Sequence, residues 1–268
     1  LLASRDSDNQ SQIAKRLVGL LDHDDASVVS RAAHDLQALA QDHPGAPVVI
    51  VNAGAISPLV TVLSNGKTDE GRAEAAKTLH TLANSGPANQ LAIAIGLVAL
   101  LGAGTDEAQE HVTQLLLTLS SGLESDPKAA LYNRRAIANA GPFRMLVFQL
   151  KSESARVRAL AAAVMAKLSG DSFENVAEIA SHNGIRPLVA LLSADQSDAE
   201  TQAHAAGVLA DITVAKTEYA ASVAREGGIP LLVALLTNGG TVTSRAEAAG
   251  ALGSLASNHA REVGEAGA

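Results

Sequence analysis

The chain has 268 residues, a net charge of −8 at pH 7 and a hydrophobic fraction of 47%, with only 2% aromatic residues. The acidic balance argues against a phosphate-neutralising surface, and so against nucleic acid as the main ligand. The absence of cysteine excludes disulfide bonds and thiolate metal sites and favours a cytoplasmic location, with a nuclear one as the alternative. No apolar run approaches the roughly 18 to 20 residues that cross a bilayer, so direct membrane insertion is not expected. The chain starts at Leu1, and a removed leader would leave no trace in it.

The N-terminal residues 1–12 form a polar segment ahead of the first helical repeat. From residue 13 onward the chain is repetitive, and a block reading Gly-hydrophobic-x-Pro-Leu-Val-x-Leu-Leu returns most clearly at Gly54, Gly184 and Gly228. Recurrence with a period of about forty residues is typical of a solenoid, in which each unit buries its apolar face against its neighbours. The sequence therefore predicts one repeat array over residues 13–260.

The spacing of these blocks sets the expected repeat boundaries. The units are predicted at residues 13–42, 43–85, 86–122, 128–170, 172–214 and 216–258. The first unit is incomplete, the third has the degenerate anchor Ala94, and residues 121–128 predict a lengthened loop. Residues 259–268 repeat the run that leads into a block, so we expect the protein to continue into a further repeat; the alternative is a terminal helix that caps the array.

Each full unit is predicted to contain three helices. The glycines that precede the hydrophobic anchor are expected to take the positive φ that ends a short first helix; they are Gly54, Gly141, Gly184 and Gly228. Proline then suits the first turn of the second helix, where its missing N–H is not needed. The third helix shows apolar residues at spacings of three and four, as at Ala75, Leu79 and Leu82.

This pattern resembles the armadillo repeat, and the likeness covers nearly the whole array. HEAT repeats are the nearest alternative, but they lack the short glycine-terminated first helix. The resemblance implies an all-α, right-handed α-solenoid of armadillo repeats, with three helices per repeat and about six repeats. It also implies a concave groove, lined by the third helices, that holds an extended peptide.

The residues expected to face this groove follow from the helical register, because offsets of three and four keep side chains on one face. We call them the groove stripe. Its candidate partner-binding residues are His34, Glu74, Lys77, Thr81, His111, Gln114, Thr118, Lys167, His204, Gly207, Asp211, Glu247, Gly250 and Ser254, and the same register adds Arg31, Ala38, Leu160 and Ala163.

The groove stripe lacks the side chains that importin-α and its relatives use. Those proteins place Trp in the middle position and Asn in the third, whereas the last two units here have Gly207 and Gly250 in the middle. Without aromatic walls there is no cation-π slot for basic signals. The resemblance therefore implies the fold and a general binding role, and not recognition of nuclear signals.

Several stripe residues carry two interpretations. Gly207 and Gly250 indicate either a smooth groove floor or crowding against a neighbouring helix. The stripe histidines lie two units apart, too far for shared metal coordination, so no metal site is predicted. Three arginines that open third helices, Arg72, Arg158 and Arg245, indicate either a grip on an acidic partner or contact with a neighbouring loop. The two phenylalanines Phe143 and Phe148 are predicted to fill the core.

No catalytic constellation or cofactor motif is present in the sequence, and the glycines of residues 102–105 follow a helix, which argues against a phosphate-binding loop. The chain is therefore predicted to be a non-catalytic scaffold that binds a protein or peptide segment along the groove. Two alternatives are a structural subunit of a larger assembly, held by its outer helices and array ends, and the substrate-binding array of a larger ubiquitin ligase.

Overall fold

The structure, a computed structural model, describes residues 2–43, 45–102, 106–121, 127–238 and 241–267. All regular secondary structure within these ranges is α-helical. The predictions made for the loops 102–105 and 121–128 fall on residues 103–105 and 122–126, which lie outside the described residues. The helices are α1 (Leu2–Leu20), α2 (Ala26–Asp42), α3 (Ala46–Asn52), α4 (Ile56–Asn65), α5 (Asp69–Ala83), α6 (Pro87–Leu100), α7 (Asp106–Ser121), α8 (Pro127–Asn139), α9 (Phe143–Gln149), α10 (Ala155–Ser169), α11 (Phe173–Ser181), α12 (Ile185–Ala190), α13 (Ala199–Ala215), α14 (Thr217–Arg225), α15 (Gly228–Asn238) and α16 (Val242–Glu265).

Residues Leu1–Ala140 form the first of two compact units. Within it α2 packs along α5, α4 packs against α5, and α6 packs against α7 and α8. The predicted inward face of α5 is buried, because Ala75, Leu79 and Leu82 have no exposed surface. Two elements differ from the three-helix pattern. Helix α1 already begins at Leu2, and α6 is a single helix where the pattern supplies two.

The continuity of α6 has a local cause. In the units that do turn, the residue two positions before the anchor is Gly or Asn, whereas Ala92 precedes Ala94. Alanine is the strongest helix former and disfavours the left-handed conformation that such a turn needs. The chain therefore runs straight through the degenerate anchor of the third predicted unit.

Residues Gly141–Ala268 form the second compact unit. The third helices α10, α13 and α16 pack side by side, with α11 and α12 against α13, and α14 and α15 against α16. Leu168, Leu209 and Leu255 are fully buried in this unit. Helix α16 is interrupted at His259, which has a non-helical φ of −128°.

The predicted core position of Phe148 is wrong. Phe143 is buried as expected, but Phe148 is 62% exposed. Five residues beyond the anchor it takes the register of Thr61, Ala190 and Ala234, which are all exposed in their own second helices. The buried face of α9 is formed instead by Phe143, Leu146 and Val147.

A sharp turn joins the first helix of a unit to the second. The bend measures 81° both between α3 and α4 and between α14 and α15. The residue two before the anchor takes a positive φ: 84° at Gly54, 76° at Gly141, 81° at Gly227 and 61° at Asn183. In α11 the N–H of Gly184 then donates to the carbonyl of Ile179 across the turn, which closes a Schellman motif.

The expectation of positive φ at Gly184 and Gly228 is corrected by this register. Gly184 has a φ of −72°, and the left-handed residue is its predecessor Asn183. Glycine is needed at these two positions for space. A Cβ at Gly184 would lie 2.7 Å from the carbonyl oxygen of Ile179, and one at Gly228 would lie 2.9 Å from that of Val223.

The third helices begin with a common cap. In five of them, a side-chain oxygen of the residue before the helix accepts a hydrogen bond from a backbone N–H of the first turn. These capping residues are Asp25, Thr68, Ser154, Asp198 and Thr241. Such caps satisfy donors that have no intrahelical partner. They also fix the start of each helix, and therefore the angular position of every side chain that follows.

Of the two interpretations of the helix-opening arginines, the neighbouring-loop contact is confirmed for two of them. Arg158 donates to the carbonyls of Ser152 and Glu153 before its own helix, and to that of Gln196 in the following unit at 3.1 Å. Arg72 donates to the carbonyl of Gly66 at 2.7 Å and pairs with Glu107 of α7 at 2.8 Å. These guanidinium groups tie consecutive units together.

The turn geometry predicts opposite effects for two neighbouring substitutions. Asn183→Gly should raise the free energy of unfolding by roughly 0.5 to 1 kcal/mol, because glycine has no Cβ strain at positive φ. Gly184→Ala should lower it by about 1 to 3 kcal/mol through overpacking against Ile179. Urea unfolding followed by circular dichroism measures both.

A matched control for the second change is Gly253→Ala on α16, where a Cβ meets nothing within 4 Å. It should be neutral or stabilising, by up to about 1 kcal/mol. Equal destabilisation by Gly184→Ala and Gly253→Ala would contradict the packing explanation.

Candidate functional site

The groove stripe occupies constant positions relative to the helix caps. In each of the five capped third helices, the three stripe residues stand six, nine and thirteen positions after the cap, as Glu74, Lys77 and Thr81 do after Thr68. Because the caps fix the helix starts, the stripe follows the same face in each helix. In α10, however, Leu160 and Ala163 are buried, so Lys167 is the exposed member there.

In the first compact unit, the structure brings three predicted residues together across α2 and α5. Glu74 accepts a hydrogen bond from Lys77 at 2.7 Å, and its other carboxylate oxygen lies 3.4 Å from Nδ1 of His34. The hydrogen bond from Lys77 lowers the pKa of Glu74, and His34 adds to this effect. The cluster is therefore largely neutralised internally.

Two other stripe residues of this unit form hydrogen bonds within their own helices. The hydroxyl of Thr81 donates to the carbonyl of Lys77, and that of Thr118 donates to the carbonyl of Gln114. His111, Gln114 and Thr118 on α7 are all partly exposed. This part of the stripe is thus a mildly polar surface with little net charge.

In the second compact unit, the stripe residues of α13 and α16 line an open depression of about 510 Å³. Its walls include Glu200, Asp211 and Glu247, with His204 and Gly207 between them. No lysine or arginine lines this depression among the described residues. Its character is therefore acidic, and Lys167 stands outside it on the neighbouring helix α10.

The charge of His204 decides the electrostatics of this depression at neutral pH. Burial lowers the pKa of His204 below the ordinary histidine value of 6.5. Lys167 lowers it further, whereas Glu200, 3.8 Å away, and Asp198 oppose the shift. The ring is consequently neutral at pH 7, and it does not offset the negative charge of the three carboxylates.

A second open depression, of about 430 Å³, adjoins the first, with Asp211 in the wall of both. Its apolar lining includes Phe173, Val176 and Val214, and the remaining lining residues are small or polar, among them Gly250, Ser172 and Asp171. Asp211 is held at its edge, because its Oδ2 accepts a hydrogen bond from Ser169 at 2.6 Å. The acidic and apolar depressions together form one continuous surface.

The apolar half of this surface was not predicted from the sequence of the third helices. Phe173 is the first residue of α11 and Val214 lies at the end of α13, so neither belongs to the groove stripe. A signal was nevertheless present. Sixteen positions after the cap the other capped third helices have Gln41, Asn84, Gly170 and Ser257, and only α13 has an apolar residue there.

Neither stripe glycine is tightly packed against a neighbouring helix. A Cβ on Gly250 would meet nothing within 4 Å, and one on Gly207 would lie 3.5 Å from the side chain of Glu247, an ordinary contact distance. Crowding against a neighbouring helix therefore does not require glycine at either position. The smooth groove floor is the interpretation that this geometry favours.

The described part of the chain was also compared with the requirements of a metal site and of a membrane-spanning helix. It contains no group of three or more histidine, aspartate and glutamate side chains that could hold a metal ion. No single helix there is long and apolar enough to span a membrane, although the bent pairs α3 with α4 and α14 with α15 reach that length and composition when taken together.

Comparison with known proteins places this geometry in a family. The model of the armadillo/beta-catenin-like repeat matches residues 172–214, which is the range of the fifth predicted unit. The chain belongs to the armadillo repeat family. An engineered protein of known structure is 30% identical to this armadillo chain, with 91% of this chain and 96% of that one aligned and a TM-score of 0.68.

Two designed armadillo repeat proteins share the fold. One is 21% identical, with 90% of this armadillo chain and 99% of the other aligned and a TM-score of 0.66. The other was solved in complex with the peptide (KR)4 and is 22% identical, with 90% and 98% aligned and a TM-score of 0.66. A comparison with curated protein sequences gave no match.

The buried histidine predicts a pH dependence of stability. Because the folded-state pKa of His204 lies below its unfolded value, the unfolded chain binds the proton first, and stability falls as the pH drops below about 6.5. Urea unfolding at about pH 7.5 and about pH 5.5 should show a smaller loss for His204→Gln than for the unmodified protein.

The exposed His43 provides the control, since His43→Gln should leave the pH dependence close to that of the unmodified protein. An identical pH dependence in the protein with and without His204 would show that the neutral ring contributes nothing to stability.

Proposed function

We propose that this protein is a non-catalytic scaffold that binds an extended segment of a partner protein along the groove stripe. The single observation that carries the proposal is the open floor at Gly207 and Gly250. Each costs about 1 kcal/mol relative to alanine in a helix interior, although a Cβ would meet nothing within 4 Å at Gly250 and would make only an ordinary contact with the Glu247 side chain at Gly207. A partner backbone can approach the third helices closely there.

The arrangement of polar groups supports a peptide ligand. Binding sites for extended segments combine a smooth floor with polar side chains that fix the orientation of the ligand. Lys167, Asp211 and Ser254 stand on three adjacent helices on the side of the glycines, and Glu247 stands one turn from Gly250. The designed armadillo protein with a bound (KR)4 peptide supports the same use of this fold.

The acidic depression sets the preferred charge of the ligand. Glu200, Asp211 and Glu247 line it without a lysine or arginine among the described residues. A basic segment would gain from this potential, mainly in association rate and specificity. The first compact unit contributes less charge, because Lys77 neutralises Glu74.

The test fills the groove floor. Random dodecapeptides displayed on phage are selected on the full chain, and the binding of selected peptides is measured by fluorescence anisotropy. The double variant Gly207→Leu/Gly250→Leu should abolish binding, because two bulky side chains occupy the space of the ligand backbone. The fold should survive, because position 250 is open and position 207 faces only the flexible side chain of Glu247, which can move aside.

The control adds the same side chain elsewhere. Gly19→Leu on α1 also meets open space and should bind selected peptides normally. The charge variants Lys167→Glu and Glu247→Lys should change affinity in opposite directions for basic peptides. Peptides that bind the glycine double variant with full affinity would rule out the groove floor as their site.

A further inference from the structure

The apolar depression beside Asp211 departs from the repeat in two independent places. Phe173 is 66% exposed and Val214 is 63% exposed, while Val176 between them is buried. Large apolar side chains exposed next to one another on a protein surface commonly mark an interaction site. These two come from different helices, α11 and α13, and meet at one depression.

Other units of the repeat have no large apolar side chain at either position. At the first position of the first helix, where α11 has Phe173, the other units have small or restricted residues such as Ala46, Pro87 and Thr217. At the register of Val214, the other capped third helices have polar residues or glycine. The other units therefore form the same helices without a large apolar side chain at either position, which indicates that the pair belongs to this surface and not to the general repeat.

Charge identifies what covers the surface. Asp211 lies in the shared wall, and Glu200 and Glu247 line the adjoining depression. No lysine or arginine lines either depression among the described residues. The complementary ligand presents a large apolar side chain to Phe173 and Val214 and a basic side chain to the carboxylates.

We propose that this surface is the specificity site of the groove, and that it binds a partner segment carrying one large apolar side chain close to a lysine or arginine. The proposal rests on the peptide-binding function above and adds the identity of the recognised side chains. Burial of the apolar side chain against Phe173 and Val214 supplies affinity, and the basic group beside Asp211 fixes the direction of the segment.

The experiment uses the same displayed dodecapeptides and variants that restore residues of other units. Val214→Asn takes the residue of Asn84, and Phe173→Thr takes that of Thr217. Selected peptides should share an apolar and a basic residue, and each variant should weaken their binding about tenfold or more. Asp211→Asn should weaken binding of the same peptides and leave their apolar-only analogues unchanged.

Phe148 provides a matched control, because it is 62% exposed in the same compact unit and lies outside the depression. Phe148→Thr takes the residue of Thr61 at the same register and should bind the peptides normally. An equal loss of binding in Phe148→Thr would overturn the proposal, because it would show a nonspecific effect of exposed aromatic groups.

Three further outcomes would also overturn it. Peptides that need the glycine floor but tolerate Phe173→Thr would leave the groove function standing and remove the specificity site. A selection that yields no peptide would remove both. Concentration-dependent self-association in sedimentation velocity, abolished by Phe173→Thr, would show that a second copy of the chain covers the surface.

Discussion

The side-by-side packing of third helices is the constraint on which the rest of the structure depends. In the second compact unit α10, α13 and α16 bury one face of each helix through slim side chains such as Ala161, Ala205 and Ala248. Small residues allow close helix approach, and the aromatic-poor composition follows from this demand. In α13 and α16 the opposite face is less buried, and it carries the groove stripe.

Close packing has to be matched by sharp turns, since each unit must return the chain to the start of the next third helix. The left-handed residue two positions before the anchor turns the chain sharply, and in the last two units the residue that follows it has no room for a Cβ. Gly184 and Gly228 meet this requirement against Ile179 and Val223. The Arg158 guanidinium then bonds the loops on either side, so that polar contacts reinforce what apolar packing positions.

The packing of the third helices and the turns between helices differ in how well the sequence predicts them. Helical periods predicted the buried faces of the third helices, because Leu79 and Leu82 in one and Leu252 and Leu255 in another follow directly from spacings of three and four. The groove stripe was predicted by the same logic and stays a prediction. The exact turn register was not, since a Gly-Gly pair at residues 227 and 228 does not reveal which glycine has the positive φ; only the Asn183-Gly184 pair separates the two roles.

The exposure of Phe148 and Phe173 could not be predicted from the hydrophobic pattern of the sequence. Their residue type favours burial, yet both are exposed, and the helical register of neighbouring units accounts for the exposure of each. Phe148 stands where other second helices have exposed small residues. Phe173 stands where first helices begin, above the end of α10, and there it meets Val214 from another helix. The depression that Phe173 and Val214 line is formed by residues more than forty positions apart in the sequence, and no local period connects such residues.

The chemistry of the surface formed by the two depressions follows from the residues that line it, which come from helix ends and from the groove stripe. Asp211 is held by Ser169 at the C-terminal end of α10, and this hydrogen bond keeps the carboxylate at the boundary between the apolar and acidic depressions. A carboxylate fixed in place discriminates among basic ligands better than a mobile one, because less conformational freedom is lost on binding. His204, neutral through burial, lies in the acidic depression without cancelling its charge. The repeat therefore supplies a generic groove, and a few departures from it, at Phe173, Val214 and Gly250, give one stretch of that groove a distinct chemistry.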